Sequence, residues 1–119
     1  LSNHSSDKWS EKQREGWEKI IDIAFPNIPP TIDDKEFEKL VEEYYYRILH
    51  IVVKNGEENT AVMVQGEFSF CYLLFENLRR YRDVKFAIPT TERRVVERRK
   101  EDGSVEKTAI FEFVRWRII

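Results

Sequence analysis

Ala61-Val62-Met63-Val64-Gln65-Gly66-Glu67-Phe68-Ser69 is the stretch on which the fold reading turns. Residues 61–64 are too few for a helix and do not alternate, which suits a parallel strand covered on both faces. The next five residues are a polar turn. A helix is predicted over 67–81, where Phe68, Cys71, Tyr72, Leu74, Phe75 and Leu78 leave little polar surface. A buried strand, a polar turn and an apolar helix make the repeating unit of an open α/β sheet, whose ligands bind at the carboxyl edge of the strands. Helix N-termini at that edge attract anions, because their free N–H groups and dipole point outward.

Two other polar stretches also follow or flank short apolar runs: Ser2-Asn3-His4-Ser5-Ser6 and Pro89-Thr90-Thr91-Glu92-Arg93. Read as turns, they gather with the first at one edge. Between them, Ser10-Glu11-Lys12-Gln13 is a capping box, with Ser at the N-cap and Gln three residues on. It predicts a helix over 10–18 that buries Trp17. Ile21, Ile23 and Phe25 alternate with Asp22 and Ala24, so 20–25 reads as a strand, with helix continuation to Ala24 as the alternative. Pro26, Pro29 and Pro30 end either version.

Asp33 caps a long helix whose apolar positions, from Phe37 to Val52, recur at three and four residues. Asn55-Gly56 stops it. The run Tyr44-Tyr45-Tyr46 reads as core packing at this spacing. Residues 84–88 read as a further strand. Residues 93–100 and 105–119 then flank Glu101-Asp102-Gly103-Ser104, a hairpin turn signal. The alternating order predicts one α/β domain over 1–119: a small Rossmann-like three-layer domain, with a mostly parallel sheet and a C-terminal antiparallel β-hairpin.

A chain of 119 residues can bury a normal core without disulfides or metal. The lone cysteine, Cys71, has no partner in the chain; it reads as a core residue and fits the cytoplasm. No apolar run is long enough to span a bilayer, and no signal peptide is evident. The chain starts at Leu1 without Met, so a first strand can be shortened at its start. Charge is uneven. Residues 1–78 hold 8 basic and 15 acidic residues, 79–100 hold 9 and 3, and 101–119 hold 3 and 4. The basic segment suits either a phosphate-rich ligand or a solvated hairpin edge.

Several chemistries lack their motifs. There is no GxGxxG and no GxxxxGK[ST]. No Cys or His pair has zinc spacing, and no metal or cofactor is expected. Ser69 lacks the GxSxG frame of an elbow nucleophile. What remains is an anion or nucleotide site made from turns. Its ligand-binding candidates are Asn3, Ser5, Gly66, Glu67, Thr90, Thr91 and Arg93. Its catalytic candidates are His4, as a general acid or base, and Ser69. Ordinary capping and turn chemistry is the competing explanation for each.

The opening Leu1-Ser2-Asn3-His4-Ser5-Ser6 with Trp9-Ser10-Glu11-Lys12-Gln13 resembles that of small stand-alone CRISPR-associated Rossmann-fold (CARF-like) proteins. The Gly66 turn looks like their second ligand loop, and Phe113-Val114-Arg115-Trp116-Arg117 is similar to a closing strand of some members. The resemblance implies a homodimer that binds cyclic oligoadenylate across its two-fold axis. It also implies, for ring nucleases, metal-independent cleavage in which a ribose 2′-hydroxyl attacks the neighbouring phosphate. The alternative is a non-catalytic nucleotide-sensing or protein-interaction module. Direct DNA binding is not expected, because the domain is acidic and no helix has a basic groove-reading face.

Overall fold

The computed structural model describes residues 1–81 and 83–119; Arg82, part of the basic segment, lies outside them. The elements are α1 (Glu11–Arg14), α2 (Asp34–Asn55), β1 (Ala61–Val62), α3 (Phe68–Tyr81), β2 (Lys85–Arg99) and β3 (Val105–Ile118), with two short 3-10 turns at Ser6–Lys8 and Glu57–Asn59. The sheet has three strands in the order β1-β2-β3. Only β1 and β2 are parallel, with Ala61 opposite Lys85 and Val62 opposite Phe86. The long β2–β3 pair is antiparallel.

This corrects the expected Rossmann-like, mostly parallel three-layer sheet. The reasons are local. The first segment makes only isolated parallel bridges, from Ser2 to Ala24 and to Gln65. Residues 20–25 are therefore extended, but they make a single bridge rather than a strand. The helix expected over 10–18 stops at Arg14. Its capping box forms, with Ser10 N–H donating to Gln13 Oε1 at 2.8 Å and Gln13 N–H to Ser10 Oγ at 3.3 Å. Gly16 then takes φ of 88°, a left-handed value that breaks the helix. One full strand–helix–strand unit remains, β1–α3–β2.

The core is made by α2 and α3 against these strands. Val41, Ile48 and Val52 from α2 meet Phe70, Leu74 and Leu78 from α3, with Leu1, Ile23, Val62, Val84 and Phe86. The 3-4 apolar spacing of α2 puts its buried residues on one stripe, as expected. Phe70 is fully buried, with Phe25 edge-on at 5.2 Å, Tyr44 at 5.7 Å and Phe37 at 6.2 Å. Tyr44 and Tyr45 pack against the core, while Tyr46 is exposed. Truncating Phe70 to Ala costs about 3–5 kcal/mol, the usual range for a buried aromatic.

The hairpin is longer than the sequence suggested. Residues 84–88 and 93–100 are not separate elements; the chain runs straight through Pro89, and β2 is continuous to Arg99. Thr90 opposes Arg115 and Thr91 opposes Phe113, so Val114 is an unopposed bulge residue. Beyond the bulge, every residue from Thr91 to Glu112 is exposed. The ribbon makes the chain elongated. Its radius of gyration is 17.9 Å, against about 13.5 Å for a compact domain of this length.

Three tryptophans hold the ribbon's base. Trp116 lies 5.1 Å from Trp9 and 6.1 Å from Trp17, ring centre to ring centre, and its Nε1–H donates to the Gln13 carbonyl at 2.9 Å. The single turn of α1 thus serves as a clamp on β3. At the tip, Gly103 adopts φ of 85°, and Asp102 accepts from the Ser104 N–H and hydroxyl at 2.9 and 2.6 Å. Those bonds, the hydroxyl's first, hold the Asp102 carboxyl below its ordinary pKa.

Candidate functional site

Two of the three polar stretches meet. Asn3 N–H donates to the Gln65 carbonyl at 3.2 Å, and Gln65 N–H donates to the Leu1 carbonyl at 2.9 Å. The first and second stretches therefore lie side by side. Asn3, His4 and Ser5 are exposed there. Ser5 Oγ caps the 3-10 turn by accepting from Asp7 N–H. The His4 backbone N–H donates to Ser2 Oγ at 3.0 Å, while no hydrogen bond fixes its imidazole among the described residues. Ser6, not among the candidates, is the buried polar residue of this stretch; its hydroxyl donates to Asp22 at 2.6 Å.

The anion site expected at the start of α3 already holds a carboxylate. Glu67 reaches over its own helix and accepts from the N–H groups of Ser69 at 3.2 Å and Phe70 at 2.9 Å. The Ser69 hydroxyl donates to the same carboxylate, 2.7 Å from each oxygen. These bonds, the hydroxyl's first, hold the Glu67 carboxyl below its ordinary range. Two of the helix's first N–H groups, and the positive end of its dipole, thereby meet a carboxylate within the chain. Ser69 is a capping partner in this arrangement, its hydroxyl committed to Glu67.

Gly66 also has a packing reason. A Cβ there would fall 2.3 Å from the Phe25 ring. The chain needs Gly so that Phe25 can lie edge-on to Phe70. Beside this turn, Phe68 is 81% exposed, an aromatic face without a covering neighbour.

The third stretch is strand, not turn. Thr90 is half-buried and hydrogen-bonds across the bulge to Arg115, its hydroxyl donating to the carbonyl at 3.0 Å. Thr91 and Arg93 lie beyond the bulge on the exposed ribbon, opposite Phe113 and Phe111. Arg93 is thus part of the ribbon surface.

The hairpin was expected, but not its length or the apolar side chains that it exposes on both faces. Strand alternation places Arg93, Val95, Glu97 and Arg99 on one face with Phe111, Ala109, Lys107 and Val105. Phe111 is 68% exposed, Val95 57% and Val105 51%. Lys107 and Glu97 pair across this face at 3.6 Å. The other face carries the ion pair of Arg94 with Glu112, beside exposed Val96 and Ile110. The signal was present in the sequence: Val95-Val96 and Ala109-Ile110-Phe111 are apolar on both parities, so neither face of the hairpin is purely polar.

Cys71 is buried, and burial, followed by the nearby Glu67 charge, pushes its thiol up. It is a core residue with little thiolate. No helix among the described residues is long and apolar enough to cross a membrane. No curated protein and no solved structure matches the chain. One family model does match, over residues 1–117, and by that match the chain belongs to the uncharacterized protein MJ1673 family.

Proposed function

We propose that this chain is a protein-interaction module that assembles with a second copy of itself through the β2–β3 ribbon. The carrying observation is the ribbon's exposure, with its apolar side chains on a strand whose outer edge is unpaired. A two-stranded ribbon is only marginally stable alone in water. The two strands differ in a way that selects β3 for pairing. Along β2, Glu92, Arg93, Arg94, Glu97, Arg98 and Arg99 crowd the exposed portion, the usual protection of an edge. Along β3, Thr108-Ala109-Ile110-Phe111 carries no charge and no proline.

Antiparallel pairing of two β3 strands about a two-fold axis joins residues of the same face. An axis at Ile110 sets Ala109 opposite Phe111 of the second copy and Lys107 opposite Phe113, with no like charges directly opposed. An axis at Phe111 sets Lys107 against Arg115, and one at Ala109 sets Glu106 against Glu112. Charge therefore favours Ile110. Light scattering on the eluting protein tests the reading. The expected mass is twice 14.4 kDa, falling to the single-chain mass in Phe111→Lys with unchanged circular dichroism. A wild-type monomer at high micromolar concentration refutes it.

A second reading rests on the polar edge. Asn3 and His4 adjoin the Gly66 turn, and exposed Phe68 offers a stacking face beside them. In this reading the edge takes a nucleotide, and the CARF-like resemblance names cyclic oligoadenylate. Aromatic stacking and short polar groups would carry the affinity, since Glu67 already fills the helix N-terminus. Titration with cyclic tri-, tetra- and hexa-adenylate tests it. Binding that Phe68→Ala abolishes supports it, and no binding to any ring removes it. Linear products formed in EDTA would add the ring-nuclease activity.

A further inference from the structure

The two faces of the ribbon differ in charge. Between Thr91 and Arg99 and the residues opposite them, one face carries Arg93, Arg99 and Lys107 against the single acid Glu97, a net +2. The other carries Arg94 and Arg98 against Glu92, Glu106 and Glu112, a net −1. Glu97 is taken by Lys107 at 3.6 Å, and Glu112 by Arg94. Among the described residues, Arg93 and Arg99 have no ion-pair partner and lie over no ring. The more basic face is also the aromatic one. Phe111 stands directly opposite Arg93 and is 68% exposed. Phe113 follows on the same face, about 6.8 Å along the strand, and packs on Trp116 at 5.1 Å. One row of rings therefore runs from the tryptophan clamp onto the ribbon, beside two free guanidinium groups.

The acidic body of the chain does not cancel this charge. Residues 1–78 hold 15 acidic and 8 basic residues, but the ribbon carries its arginines away from them. Arg99 lies about 33 Å along β2 from Pro89. That is several times the screening length of about 10 Å at 0.1 M salt. A guanidinium group presents a planar fork that fits a phosphate through two bonds. An exposed ring offers a surface on which any base can stack. Phosphates and unstacked bases occur together in single-stranded nucleic acid, whereas in a duplex the bases cover one another. A lipid surface fits less well, because the apolar neighbours of Phe111 on this face are the short Ala109 and Val95, and insertion calls for a row of large side chains.

We propose that this face of the ribbon binds single-stranded nucleic acid, with a base stacked on Phe111 and phosphates held by Arg93 and Arg99. The two arginines stand about 20 Å apart along β2, so a strand of several nucleotides lies along the ribbon. The expectation against direct DNA binding rested on net charge and on a helix entering a groove. Neither bears on a strand surface that takes unpaired bases. The face is complete in one chain. Pairing of two β3 strands about Ile110 leaves it open and sets the same face of both copies side by side. The site is thus separate from the β3 edge and from the Phe68 edge.

Titration of fluorescein-labelled oligo(dT) and oligo(U) of about twelve nucleotides, at about 0.1 M salt, tests this. Binding of both is expected, with weaker binding of a duplex of the same length; tighter binding of oligo(U) adds a 2′-hydroxyl contact. Arg93→Gln with Arg99→Gln should weaken binding about tenfold and make its salt dependence shallower by about 1.4 in slope. Arg94→Gln with Arg98→Gln removes the same charge from the other face and should change affinity by less than about twofold. Phe111→Leu should weaken binding about tenfold, within the range for one lost stack. Circular dichroism and mass on the same samples separate lost binding from lost folding or lost pairing. Equal loss from the two arginine pairs overturns the proposal. So does unchanged affinity in Phe111→Leu, absence of wild-type binding, or a preference for anionic vesicles over both oligonucleotides. A wild type that binds as expected but stays monomeric refutes self-assembly and leaves this proposal standing.

Discussion

The Ser69 hydroxyl donates to the carboxylate of Glu67, 2.7 Å from each of its oxygens, at the first turn of α3. This places a negative charge where the helix would otherwise attract a ligand's phosphate. It also makes the start of α3 sensitive to acid. A carboxyl whose pKa is depressed by folding contributes stability above its unfolded value and loses it as the pH falls through the folded value. The protection of the Ser69 and Phe70 amides, measured against the free-peptide exchange rate at the same pH, should therefore fall as the pH drops below the ordinary glutamate value of about 4.3. Glu67→Ala should show the low protection at every pH, with a loss of about 0.5–2 kcal/mol typical of a removed cap. Unchanged exchange in that variant would show that the carboxylate does not cap the helix.

Gly66 is held by shape. Gly66→Ala should destabilise the chain by about 1–3 kcal/mol, because the new methyl overlaps the Phe25 ring. In the double variant with Phe25→Leu the Gly66→Ala penalty should shrink. Urea unfolding of the four chains in the cycle measures it. Equal penalties with Phe and Leu at 25 would place the need for glycine elsewhere.

The tryptophan clamp should be separable from the core. Trp116→Phe keeps a ring near Trp9 but removes the donor to the Gln13 carbonyl. Exchange in residues 11–14 and at the ribbon's base should rise, while α3 amides around Leu74 and Leu78 stay protected. Loss of protection throughout would mean that the clamp and the core unfold as one unit.

The thiol of Cys71 should react slowly. Burial raises its pKa and shields it. Alkylation of the folded chain should follow unfolding, becoming fast only in denaturant. Rapid labelling under native conditions would contradict a core role.

The sequence spoke most clearly where one periodicity ran long. The α2 stripe, the Asp33 cap, α3 and the tip at Gly103 all follow from residue spacing and turn chemistry. The sheet was less legible, because pairing depends on which segments find neighbours rather than on local pattern. Residues 20–25 alternate like a strand yet bridge only through Ala24. Pro89 read as a break, but a proline has only to avoid donating to the ladder. The polar stretches were legible as positions, and two of them meet at one edge while the third is strand. What spacing alone did not show is that Glu67 meets the helix end and that the Phe25 ring packs on Gly66.

The account turns on whether two β3 strands meet at Ile110. In a Cys71→Ser background, Ile110→Cys places one thiol from each copy beside the two-fold axis, while Ser104→Cys places it at the tip. Mild oxidation should give a rapid disulfide-linked dimer of Ile110→Cys and only slow linking of Ser104→Cys. Equal, slow linking of the two variants would contradict pairing through β3.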